Sequence, residues 1–194
     1  MANRCYTDYS IVGKKKAVKD LYNAITKLQK DSTPLTVWLS DLAEHYDITD
    51  DHISTRGYIS DIWSFFSDSE SKYQLSFITD TAWSGCHDLF KAINKKLGGG
   101  LSISYREVEP GCNIYVIHDE DNFYPENYCV SAGEGVFEDF GEQYFDTAYE
   151  VIRCWCDAMG EKQEDRTDEE MLEYIEDYEY EGDEFFNIYE FIRE

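Results

Sequence analysis

The residues that could bind a metal ion do not fall at the spacings that metal sites require. Cys154 and Cys156 lie two residues apart in a segment of helical periodicity, so their side chains point to different sides of a helix. Cys86 and His87 are adjacent, which is equally poor geometry for joint ligation. Structural zinc sites have two to four residues between their paired cysteines, with a second pair elsewhere, whereas a single residue separates Cys154 from Cys156. We therefore expect no metal ion, no cofactor and free thiols at all the cysteines (Cys5, Cys86, Cys112, Cys129, Cys154 and Cys156).

A second arrangement approaches a calcium-binding loop and then departs from it. Asp177, Glu179, Glu181 and Gly182 occupy positions 1, 3, 5 and 6 of an EF-hand register. Position 12 must offer a bidentate carboxylate, but Ile188 stands there. The segment is typical of a solvated acidic helix end.

Phosphate-binding and catalytic motifs are also incomplete. Gly98-Gly99-Gly100 is not followed by the lysine and hydroxyl of a P-loop, which favours a helix cap. Lys14, Lys15 and Lys16 follow Gly13 at a predicted helix start and favour a solvated surface. No Gly-x-Ser-x-Gly nucleophile motif exists, and the histidines lie in unrelated contexts (His45, His52, His87 and His118). The sequence therefore predicts no catalytic residue.

Charge is spread very unevenly along the chain. Residues 1–110 hold 13 Lys and Arg against 15 Asp and Glu, whereas residues 111–194 hold 4 against 26. Carboxylates arrayed on helices can compete with nucleic acid for a basic protein surface, and they disfavour direct binding of DNA or RNA. A merely solubilising surface is the alternative. The candidate partner-binding residues are Glu173, Glu176, Asp177, Glu179, Glu181, Asp183 and Glu184.

The first half of the chain alternates strand and helix patterns. Residues 7–11 alternate as a half-buried strand, and apolar residues recur at helical spacing over 14–30, over an inserted helix at 34–46 and over 84–97. Strands are predicted at 57–66, with Ile59, Trp63 and Phe65 on one face, and at 72–79, joined by a hairpin at 67–71. A further strand begins at Leu101.

The second half begins with strands and then becomes helical. Strands are predicted around residues 114–117 and 128–132, followed by a helix over 140–159. Thr167 and Glu170 form a capping box that starts another helix, and Phe185 to Ile192 shows a last amphipathic turn. The order predicts an α+β fold with a ferredoxin-like, split β-α-β core: an antiparallel sheet with helices on one face.

Two segments resemble a known family. Ala2-Asn3-Arg4-Cys5-Tyr6, before a strand that ends at Gly13, resembles the opening of YubB-type proteins, which are encoded largely on bacterial plasmids, phages and integrated elements. Thr81-Ala82-Trp83-Ser84, a helix and then Ser102-Ile103-Ser104-Tyr105-Arg106-Glu107 are similar to that family's ferredoxin-like domain. The likeness covers residues 1 to about 130, although Arg4 stands where many relatives have an aromatic residue. It implies a fold and a mobile-element context, without catalytic residues.

These patterns lead to one set of expectations. The 42% hydrophobic content supports a folded core, no stretch matches a membrane span, and no export signal opens the chain, so we expect a soluble cytoplasmic protein. Residues 1–135 would form the ferredoxin-like core with extra strands, and residues 136–194 an acidic helical extension on or beside it. We expect a non-enzymatic accessory protein that engages a basic protein. A small enzyme with a cleft between core and extension, or a homo-oligomeric structural protein, is the alternative.

Overall fold

The described residues of the protein form a mixed α+β structure with a large antiparallel sheet and five α-helices. The computed structural model describes residues 3–29, 36–65, 72–133, 141–182 and 184–194. The chain divides into two compact units, one of residues 1–124 with 193–194 and one of residues 125–192. The predicted boundary after residue 135 falls within the second unit.

The first unit contains the larger sheet. Its elements are β1 (Arg4–Lys14), α1 (Lys15–Leu28), β2 (Val37–Trp38), α2 (Leu39–His45), β3 (Gly57–Phe65), β4 (Lys72–Ala82), α3 (His87–Lys96), β5 (Leu101–Glu109) and β6 (Ile114–His118). The last strand of the chain, β10 (Ile192–Arg193), completes the sheet order β10-β6-β5-β1-β4-β3-β2.

One face of this sheet carries the core of the first unit. Tyr9 and Ile11 of β1 point to this face, as the alternating sequence predicts, and are buried with Phe77 of β4. The apolar residues of α1, α2 and α3 belong to the same cluster, including Leu21 and Phe90. The helices therefore cover one face of the sheet, because their apolar stripes can be buried only against it.

The second unit has a small sheet and a core of its own. Its elements are β7 (Tyr128–Ala132), β8 (Gly141–Phe145), α4 (Ala148–Met159), α5 (Asp168–Glu176) and β9 (Phe186–Glu190), with the strand order β8-β7-β9. Trp155 of α4 is fully buried in a cluster with Met171 and Ile175 of α5. The predicted capping box of Thr167 and Glu170 is confirmed at the start of α5.

Two helical predictions for residues 136–194 are wrong. Residues 141–145 form strand β8 instead of the start of a helix, and residues 186–190 form strand β9 instead of an amphipathic turn. Both strands pair antiparallel with β7. A short apolar segment can fit the periodicity of a helix as well as that of a strand. Pairing with β7 therefore decides the structure of both segments.

Three details of the first unit also differ from the sequence predictions. The inserted helix begins at Leu39, and Trp38 belongs to β2. Residues 34–35 and the predicted hairpin at 67–71 lie outside the described residues. Ile59 and Trp63 do not share a face, because the register with β4 shifts between Ile59 and Asp61. This bulge turns Trp63 to the opposite face, where it is 51% exposed.

Candidate functional site

A buried polar network joins three elements of the first unit. The Tyr9 hydroxyl lies 2.8 Å from Nδ1 of His87, and Nε2 of His87 hydrogen-bonds to a carboxylate oxygen of Glu107. The other oxygen of Glu107 accepts from the backbone amide of Gly85 at 2.8 Å and from the Cys5 thiol at 3.2 Å. Both oxygens of this buried carboxylate therefore accept hydrogen bonds.

Strand register and a helix start bring these groups together. Tyr9 pairs with Tyr105 and Thr7 pairs with Glu107 between β1 and β5, so all four side chains face the helices. His87 is the first residue of α3, and its ring stacks on Tyr105 with centroids 3.7 Å apart. The network therefore depends on the pairing of β1 with β5 and on the position of α3.

The electrostatics of the network keep a negative charge on Glu107 and protons on the thiols. Burial opposes ionisation of Glu107, but hydrogen bonds from His87 and Gly85 outweigh it and leave its pKa below the usual value. Burial raises the pKa of Cys5 far above its usual value, and the Glu107 charge raises it further. Burial also raises the pKa of Cys86. Neither thiol is a thiolate at neutral pH.

A cavity of about 340 Å³ opens beside this network and is lined by His87, Cys86, Tyr105 and Glu194 among others. The Tyr105 hydroxyl donates to Glu194 at 3.2 Å. Both ring nitrogens of His87 already have hydrogen-bond partners, so the imidazole would have to exchange one of them to act as a general base toward a molecule in the cavity. The arrangement is a satisfied structural network, which ties α3 to the sheet.

Sequence analysis did not identify Tyr9, His87 and Glu107 as a group. One signal was available, because Glu107 continues the alternation of Ile103 and Tyr105 and so occupies a core-facing position. A carboxylate at such a position needs buried donors. The identity of those donors depends on strand register, which the sequence does not show.

The predicted partner-binding residues lie on the surface of the second unit. Those on described residues are all exposed: Glu173, Glu176, Asp177, Glu179, Glu181 and Glu184. Asp183 lies outside the described residues. Within the described ranges, no side chain gives these carboxylates a hydrogen bond or an ion pair. The helix α5 buries only Met171 and Ile175, so its acidic residues face away from the core.

Comparisons with known proteins provide no relative for this chain. No family model matches it, and neither a curated protein nor a solved structure does. None of the helices in the described ranges is long and apolar enough to span a membrane. Across those same ranges, no three His, Cys, Asp or Glu side chains come together as metal ligands.

Proposed function

We propose that the chain is a non-enzymatic binding protein that engages a basic protein through the acidic surface of its second unit. The observation that carries this proposal is the set of six exposed carboxylates without partners among the described residues. An unpaired carboxylate on a surface keeps its full charge for an external cation. A partner with clustered Lys and Arg, such as a nucleic-acid-binding or host-defence protein, offers the complementary charge.

The charge balance of the two units supports this assignment. Residues 125–192 hold 3 Lys and Arg against 22 Asp and Glu, whereas the first unit holds 14 against 19. This excess of negative charge contributes nothing to the folded core of the second unit. Repulsion between the carboxylates destabilises the compact state. Attraction of a basic surface would offset it on binding.

A mobile-element protein with a ferredoxin-like core fits the same proposal. What supports such a core is the strand order β5-β1-β4-β3, in which each β-α-β unit is split by a strand of the other. The packing of α1 and α3 into one cluster also supports it. The mobile-element context rests on the resemblance of residues 1 to about 130 to YubB-type proteins.

The enzyme alternative has weaker support in the described residues. The His87 network is buried and its ring nitrogens are occupied, and the thiols beside it stay protonated. This arrangement favours a structural role.

The proposal is tested by capturing basic partners from a bacterial lysate on the immobilised chain. Binding should weaken steeply between about 50 and 200 mM salt, because the contact is between charges. A variant with four neutralised carboxylates should lose the partner: Glu173→Gln, Glu176→Gln, Glu179→Gln and Glu181→Gln. A control with four neutralised exposed carboxylates of the first unit should keep it: Glu44→Gln, Asp47→Asn, Asp51→Asn and Asp61→Asn.

Two results would contradict the proposal. One is that no basic protein is recovered at low salt. The other is that the second-unit variant captures the partner as well as the control does, which would move the binding surface elsewhere.

A further inference from the structure

A surface pocket of about 390 Å³ lies at one end of the large sheet, on the face opposite the helices. Trp38 of β2, Tyr58 of β3, Asp80 of β4 and Tyr6 of β1 are successive partners across four strands. Their neighbours along each strand, such as Ile59 and Cys5, point into the core. Trp38, Tyr58 and Asp80 line the pocket together with Arg4 and Arg56.

The floor of this pocket is fixed by a satisfied ion pair. The largely buried carboxylate of Asp80 accepts from the Tyr58 hydroxyl at 3.0 Å and pairs with the Arg4 guanidinium. Arg4 also lies over the ring of Tyr6, 5.4 Å from its centroid. A Cβ at Gly57 would come 2.4 Å from the backbone oxygen of Asp80, so β3 and β4 approach there as only glycine permits. The charges of the floor are therefore paired within the protein.

Two side chains of the pocket remain available to a ligand. The Trp38 ring is 53% exposed and is held against Tyr58, with centroids 5.4 Å apart and planes at 66°. Arg56 is exposed, and no described residue gives its guanidinium a hydrogen bond or an ion pair. Arg56 lies at the centre of a tight turn just before β3, closed by the Gly57 amide and the Thr55 carbonyl at 3.0 Å, and it lines the same pocket as Tyr58. An aromatic surface and an unpaired guanidinium thus line one small pocket.

We propose that this pocket binds a mononucleotide, with the base stacked on Trp38 and the phosphate bound by Arg56. Every nucleobase offers an aromatic face for such stacking. The planar fork of a guanidinium matches phosphate oxygens with two parallel hydrogen bonds. The volume falls within the range of small-molecule pockets. A free nucleotide fits better than a nucleic-acid strand, because a net charge of −24 repels a polyanion. This site is independent of the acidic surface.

Titration calorimetry with the four ribonucleoside 5′-monophosphates tests the proposal, in about 0.15 M salt to screen distant charges. Trp38→Ala should weaken binding at least about fivefold by removing the stacking surface. Arg56→Gln should weaken it about tenfold or more, because a hydrogen bond to a charged group is lost. Trp38→Phe should retain part of the affinity. Trp63→Ala is the matched control, since Trp63 is exposed on the same sheet face outside the pocket.

Three results would overturn the proposal. The first is no binding of any mononucleotide at millimolar concentration. The second is equal affinity in Trp38→Ala and Trp63→Ala, with circular dichroism showing that both variants fold. The third is binding of a short single-stranded oligonucleotide without measurable binding of mononucleotides, which would assign the site to a strand.

Discussion

The two units use their carboxylates in opposite ways. In the first unit, Asp80 and Glu107 are buried, and each accepts hydrogen bonds from two or more different residues. In the second unit, six acidic side chains of α5 and the segment after it are exposed, and no described residue pairs with them: Glu173, Glu176, Asp177, Glu179, Glu181 and Glu184. The same side chain thus connects elements in one unit and creates surface charge in the other.

This difference teaches that composition alone does not assign a role to an acidic residue. Removing charge from a buried, hydrogen-bonded carboxylate leaves donors unsatisfied, which is costly. Removing charge from an exposed one changes mainly the long-range potential. We therefore expect stability to depend on the two cores and on the buried carboxylates of Asp80 and Glu107. We expect partner binding to depend on the exposed, unpaired carboxylates of the second unit.

The largest expected effect tests the core of the second unit. Trp155→Ala should lower the free energy of unfolding of this unit by about 3 to 5 kcal/mol, because it leaves a cavity among Met171 and Ile175. It also removes the indole hydrogen bond to the Tyr180 hydroxyl. Denaturant titration combined with hydrogen exchange in α4 measures the change. Trp63→Ala serves as the exposed control, and a loss below about 1 kcal/mol for Trp155→Ala would contradict the described core.

The next effect tests the buried carboxylate of the first unit. Glu107→Gln should lower the free energy of unfolding by about 2 to 4 kcal/mol at neutral pH. The hydrogen-bond donors that face a carboxylate in the wild type would face a neutral amide in the variant. The folded-state pKa of Glu107 is lowered, so its stabilisation is present above the unfolded pKa of about 4.3 and is lost as pH falls through the folded value. The difference between wild type and variant should therefore shrink in acid. A pH-independent difference, or an equal cost for the exposed Glu176→Gln, would contradict this role.

A smaller effect tests the hydrogen-bond order of the network. A carboxylate only accepts, so Nε2 of His87 carries a proton; in the neutral form of the ring, Nδ1 then accepts from the Tyr9 hydroxyl. Tyr9→Phe should lower the free energy of unfolding by about 1 to 2 kcal/mol, because it leaves Nδ1 of His87 without its donor. Nitrogen-15 NMR of the imidazole should report the Nε2–H tautomer in the wild type. The opposite tautomer would reverse the proposed order.

The smallest effect concerns the acidic surface. Neutralising Glu173, Glu176, Glu179 and Glu181 should change stability by no more than about 0.5 kcal/mol per residue, because exposed substitutions away from structural contacts rarely do more. Any change should make the variant more stable than the wild type, and the gain should be larger at low salt, where repulsion between the carboxylates is strongest. Thermal unfolding at two salt concentrations measures it. A large loss would show that these carboxylates stabilise the unit, which would remove the contrast between the two regions.

Local patterns predicted the elements that are built from local signals. The helical spacing of Ala17, Leu21 and Ile25 identified α1, whose buried face contains these residues. Thr167 and Glu170 identified the start of α5 because the capping box is contained within four residues. The glycines after α3 include left-handed Gly98 and Gly99, as expected for a helix end.

Non-local pairing explains what the sequence did not predict. Tyr144 and Phe145 continue the spacing of α4 in sequence, yet they pair with β7 in β8. A second capping box, Thr147 with Glu150, marks the true start of α4. The candidate sites could not be predicted for the same reason. Their contacts join different segments, and no single segment encodes the register that brings together His87 with Glu107 and Trp38 with Tyr58.

The bulge in β3 makes the orientation of half a strand depend on one residue. Ser60 is the extra residue between the pairs Ile59 with Thr79 and Asp61 with Ile78. If Ser60 instead paired with Ile78, simple alternation would continue and the two faces would be exchanged beyond that point. Trp63 would then turn to the helices and Ile62 to the open face. The bulge, as well as the composition of this strand, thus determines which aromatic side chains are exposed on the open face.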